Sequence, residues 1–194
     1  MTDLSVIAIV ISAIAVVLTL LKNFIIPLIF FPRVVLEGKN DSDCIHNAPM
    51  AGGTRPSNSQ WLRLRIKNEG LFSTQVKNCY VKMLEITGPN GVKVSPFNPT
   101  PLFWVSYGTT SAILSKNEEH YVDFILQVQG QNYIAIPKVN VPAALSNNYH
   151  SVFGQVGVYK FKVGVYGDNL NGKDFTFKVE NTGTWNQLKF VNSA

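Results

Sequence analysis

Residues 61–67 read Trp-Leu-Arg-Leu-Arg-Ile-Lys, a strict alternation of apolar and basic side chains. Successive residues of a strand point to opposite faces, so Leu62, Leu64 and Ile66 share a buried face while Arg63, Arg65 and Lys67 share a wet one. One dry face and one wet face predict a strand in an antiparallel sheet. Asn68-Glu69-Gly70 then turns the chain, and Lys77 to Thr87 reads as a second strand whose blurred alternation predicts a bulge or burial on both faces. Gly88-Pro89-Asn90-Gly91 predicts a hairpin closed by Val92 to Val94.

Further along, Pro96 to Pro101 holds three prolines in six residues and is excluded from any central strand. Leu102 to Ser106, Thr109 to Leu114, His120 to Val128 and Tyr133 to Ile136 are strand candidates, and Pro137 to Gln155 reads as loop. Val158 to Tyr166 alternates again, Gly167 to Gly172 turns, and Phe175, Phe177 and Val179 face the core from the returning strand. About nine strands with no helix between them predict an all-β, two-layer antiparallel sandwich.

Upstream, Arg33 to Glu37 is a first short strand, and Gly38 to Gln60, rich in Gly, Asn, Asp, Ser and Pro, is a long polar loop. Before it lies Leu4 to Leu21, LSVIAIVISAIAVVLTLL, without a charged side chain. As a helix it is about 27 Å long, close to the ~30 Å hydrocarbon core of a bilayer. It reads as a transmembrane anchor, without the basic start and small-residue site of a cleaved signal peptide. Lys22 follows, then the bulky run Phe24 to Pro32, with Phe30 and Phe31, either as more span with Lys22 snorkelling or as an interfacial segment. Lys22, Arg33 and Lys39 all lie on the C-terminal side, so the positive-inside bias places the domain in the cytoplasm and the short N-terminal tail outside; an exported domain is the competing reading. The organisation expected is anchor and interfacial segment over 1–32, short strand and polar loop over 33–60, and sandwich over 61–194.

The stretch Gln155-Val156-Gly157-Val158-Tyr159-Lys160-Phe161 resembles the start of the sixth strand of immunoglobulin-like domains, where an acidic residue, Gly, Tyr and Cys recur at alternate positions. Gly157 and Tyr159 match; Gln155 and Phe161 depart from it. The resemblance implies that the Tyr159 hydroxyl ties back to the backbone and that the inter-sheet disulfide is missing. Trp61 or Trp104 is the counterpart of the core tryptophan. Residues 61–86, with Asn68 and Gly70, look like the first hairpin of adhesion-type immunoglobulin-like domains. With the uncleaved helix, the chain is similar to small single-pass prokaryotic membrane proteins of uncharacterised function. This likeness is one of fold and carries over no functional residue.

The net charge of +5 is spread along alternating strands, which excludes a nucleic-acid surface in favour of solvated faces. Cys44, in the polar loop, and Cys79, in an apolar strand, read as two separate thiols. Asp41, Asp43, Cys44 and His46 crowd together at no zinc or calcium spacing, so no metal or cofactor is assigned. His46, His120 and His150 are scattered, Glu118-Glu119 sits on a turn, and the Gly-rich stretches open no helix, so no catalytic residue is assigned. The densest aromatic group, Phe97, Phe103, Trp104 and Tyr107, is either packing over a sheet edge or a partner-binding hot spot. The expectation is a non-catalytic module bound to the lipid bilayer by its helix and to an unidentified protein partner by its loops, with no nucleic-acid partner. The alternative is a pilin-like subunit with the helix in a filament core.

Overall fold

A computed structural model of the chain describes residues 2–26, 31–50, 57–70, 75–95, 97–105, 108–131, 133–137 and 154–191. Helix α1 spans Thr2–Leu20 and continues as a wider π turn over Leu21–Ile25, with the Ile26 N–H donating to the Leu21 carbonyl. Two of its hydroxyls are satisfied within the helix: Ser12 Oγ donates to Ala8 O at 2.9 Å and Thr19 Oγ1 to Ala15 O at 2.7 Å. Residues Val6–Asn23 are long and apolar enough to cross a membrane, and none of them is buried within the molecule. Leu21, Lys22 and Phe31 are exposed; Leu4 has its backbone in the helix, and Pro27 and Phe30 lie outside the described residues.

Strands β1 (Val34–Glu37), β2 (Ile45–Met50), β3 (Ser57–Asn68), β6 (Phe103–Trp104), β8 (Glu119–Val128) and β9 (Ile134–Ala135) form one sheet. β3 and β8 are its centre; β1 and β2 lie end to end along the outer edge of β3, and β6 and β9 along that of β8. The second sheet runs β12 (Lys189–Phe190), β11 (Leu170–Asn181), β10 (Gly157–Gly167), β4 (Val76–Thr87), β5 (Thr100–Pro101), with β7 (Ala112–Leu114) also on β4. All pairings between these strands are antiparallel.

The alternating stretch behaves as read: Leu62, Leu64 and Ile66 are fully buried. The blur in β4 is a register shift where Met83 and Glu85 pair with consecutive residues of β10, leaving Leu84 as the extra residue. A matching shift in β8 sets Phe124 as its extra residue. Phe124 joins the sheets: its ring meets Phe161 of β10 edge-on at 5.0 Å and stacks on Phe190 of β12 at 6.1 Å. Tyr159 is buried, its hydroxyl donating to Gln155 O at 2.9 Å and accepting from Gln155 N–H at 3.0 Å. Gly157, two residues earlier, has φ +131°, and a Cβ there would come within 2.7 Å of Pro89.

Part of the polar loop expected over Gly38 to Gln60 is strand. β2 crosses it, and β3 starts at Ser57. Its composition hid this because β2 is held by six registered pairs with β3 rather than by apolar side chains of its own. Pro49 is tolerated because β2 is an edge. Cys44, within this segment, is buried, and its backbone N–H donates to the Asp41 carboxylate at 2.9 Å. Both cysteines are free thiols. β1 and β2 thus share a sheet with β3.

Candidate functional site

On the outer face of the β1–β3–β8 sheet, each basic residue of the alternating stretch meets a carboxylate. Arg63 pairs with Asp123 at 3.0 Å, Arg65 with Asp41 at 2.8 Å, and Lys67 with Glu119 at 3.7 Å. Desolvation pushes the Asp41 carboxyl up, but the Cys44 hydrogen bonds and the Arg65 charge outweigh it and hold the group below its ordinary value. Asp41 is thus occupied, Cys44 faces the core and His46 is exposed on β2, so this candidate ligand group does not converge. At the start of β8, the Glu118 carboxylate is held low by hydrogen bonds from Ser115 and His120. Glu118 thus sits between the serine and the imidazole, on an exposed turn.

A different feature forms where the sheets meet at the C-terminal strand. The Asn40 amide makes two bonds to the backbone of Phe190, donating to its O at 2.8 Å and accepting from its N at 2.7 Å. Gln60 does the same for Leu188, at 3.3 and 2.9 Å. Two side-chain amides, one from the β1–β2 connection and one from β3, thereby act as a strand for the free edge at β12. Beside this seam runs an open cleft of about 440 Å³ lined by Ile45, Asn47, Thr182, Gln187 and Lys189, continuous through Asn47 and Asn186 with a neighbour of about 320 Å³ that adds Asn58 and Trp185. Among the described residues the lining holds no carboxylate, and Lys189 is neutralised by Glu180 at 3.0 Å. Amides offer a donor and an acceptor each, matching the alternating N–H and C=O of a polypeptide edge, and Trp185 adds an apolar face.

The aromatic group expected as a hot spot is divided. Trp104 is 1% exposed in the core, its ring edge-on to His120 at 6.0 Å and its indole N–H without an acceptor among the described residues. Phe97 is half-buried against the core. Phe103 is half-buried on the opposite face of β6, paired with Asp123. Tyr107 lies outside the described residues, as do 138–153 of the expected recognition loop. Alternation along β6 drives Trp104 and Phe103 to opposite faces, so they do not make one surface.

No protein-family model and no curated protein matches the chain. Among solved structures, a family 123 glycoside hydrolase from Clostridium perfringens aligns with 62% of this chain and 20% of its own, at 13% identity and TM-score 0.32, a likeness too slight to carry fold or function across. The cleft residues gave no warning in the sequence. Gln60 and Leu188 are 128 positions apart, and neither stands in a motif.

Proposed function

We propose that this protein is a membrane-tethered, non-catalytic binding module, with α1 crossing the bilayer and an immunoglobulin-like sandwich on the cytoplasmic side. The observation that carries the reading is the helix itself: Ile9 and Ile11 are 69% and 62% exposed, on an apolar surface of the length a bilayer covers. The uncharged N-terminal flank, apart from Asp3, and the cationic C-terminal flank support a cytoplasmic domain. The immunoglobulin-like reading is supported by the path β1–β3–β8–β6 in one sheet and β11–β10–β4 in the other, and by the tyrosine corner at Tyr159.

The partner is a polypeptide engaged by the amide-lined cleft, which replaces the divided aromatic group as the recognition surface. The molecule holds its own β12 backbone with Asn40 and Gln60, and Asn47 and Asn186 offer the same groups outward. A photo-crosslinking residue placed at Trp185 in cells is expected to give a discrete adduct that Asn47→Ala weakens. The same residue at Val92, on the hairpin beyond β4, is the comparison. Equal yields at the two positions would sink the cleft assignment.

A further inference from the structure

Six peptide units separate Ile26, the last described residue of the helix, from Pro32, so the sandwich begins within about 21 Å of the helix end. Pro32 is buried, and the Arg33 carbonyl accepts the Glu69 N–H at 2.7 Å, so the chain enters at the end of β3. That end also holds the start of β4 and the β10–β11 turn, which are laced together. Asn169 Nδ2 donates to Gln75 O at 2.7 Å, and Asp168 N donates to Lys77 O at 3.0 Å.

Above this end, on the outer face of the second sheet, Tyr80 and Tyr166 are register partners and stack at 5.3 Å. Tyr166 lies flat because the space beneath it is empty of side chains: a Cβ at Gly164 or Gly172 would come within 2.5 or 2.9 Å of it. Lys82 Nζ sits 5.2 Å from the Tyr80 ring centroid, and Ile113 of β7 is 56% exposed nearby. Arg33, just before β1, and Lys77, Lys82 and Lys173 of the second sheet have no carboxylate partner among the described residues, whereas Lys162 of the second sheet pairs with Asp174 at 2.7 Å.

We propose that this anchor-side end of the sandwich is a contact surface for anionic phospholipid, seating the domain on the membrane that holds its helix. The inference rests on the tethered reading above. Tyrosines with an apolar body and a polar tip settle at headgroup depth, unpaired lysines attract anionic headgroups, and Ile113 adds apolar contact. The short connection keeps the patch within reach of the surface and leaves no need for a second anchor.

The test uses the full chain in lipid nanodiscs of phosphatidylcholine, with or without phosphatidylglycerol. Because both native thiols are buried, a fluorophore can be placed at Ile113→Cys or, for comparison, at Val92→Cys on the far end of β4. Spin-labelled lipid is expected to quench the probe at 113 at least about twofold more in the anionic discs, with the gain lost in high salt. Reversal of the exposed charges, Lys77→Glu with Lys82→Glu and Lys173→Glu, should abolish it while the probe at 92 stays indifferent. Equal quenching at 113 and 92, or no response to phosphatidylglycerol or to charge reversal, overturns the inference, as does lipid-independent capture of an acidic protein by the same lysines. A chain that fails to enter the discs overturns the tethered reading as well; entry without quenching at 113 overturns this inference alone.

Discussion

At the scale of single residues, Tyr159 shows how a side chain holds a turn. Its hydroxyl is bonded twice to Gln155, and Asn181 Nδ2 donates to the same carbonyl at 3.1 Å. Tyr159→Phe removes both hydroxyl bonds and leaves the Gln155 N–H unsatisfied, so about 1–3 kcal/mol of unfolding free energy should be lost, read by denaturant titration of the full chain in micelles. Cys79 makes a prediction about pH. Burial pushes its thiol from 9.0 up to about 12, so the unfolded chain releases this proton first. The stability the neutral thiol contributes is complete below pH 9 and is lost as pH rises toward 12. Burial likewise pushes the Tyr159 hydroxyl up to about 12, adding to the same alkaline loss above pH 10. Cys79→Ala should flatten the fall of stability between pH 9 and 12, whatever its effect on the starting value.

At the scale of elements, β12 is two residues long, and its pairing with β11 covers only Val179–Phe190 and Glu180–Lys189. A strand so short cannot hold itself. Asn40 and Gln60 supply its second edge, and Gly38 makes room for its Phe190 ring, to which a Cβ would approach within 2.5 Å. Asn40→Ala and Gln60→Ala should each cost about 1–3 kcal/mol, because each leaves a backbone N–H without its acceptor. Their double variant should cost less than the sum, since both act through one strand. Hydrogen exchange at the Leu188 and Phe190 amides is the direct readout, and unchanged protection in Gln60→Ala would refute the clamp. None of this was legible beforehand: an isolated Asn and Gln in polar surroundings look like solvated residues, and only the fold sets them against a backbone edge.

At the scale of the whole molecule, charge is distributed unevenly over two sheets whose sequences look alike. The outer face of the first is neutralised by ion pairs; the second pairs Lys162 with Asp174 and keeps Lys82 unpaired among the described residues beside its tyrosine stack. These pairs are half-buried, and together they cancel the charge of one face. Sidedness is read at this scale too. Cys44 and Cys79 are shielded, and a membrane-impermeant thiol reagent should leave the intact wild-type chain unlabelled even after cell lysis. Val92→Cys, at a position 61% exposed, should label only after lysis if the domain is cytoplasmic; labelling in intact cells would reverse the orientation.

What the sequence determined by itself was whatever depends on neighbours along the chain. The period of two at residues 61–67 set the strand and its buried face, Gly88 to Gly91 set the hairpin, and the uncharged run from Leu4 set the helix. Tyr159 was legible because the corner bond spans four residues. Tertiary structure alone decided β2, the inward turn of Cys44, the burial of Trp104, the amide seam and the unpaired lysines. Each depends on a partner far away in sequence: a polar segment becomes a strand when β3 lends its hydrogen bonds, and a lysine stays unpaired only if no carboxylate arrives from another strand.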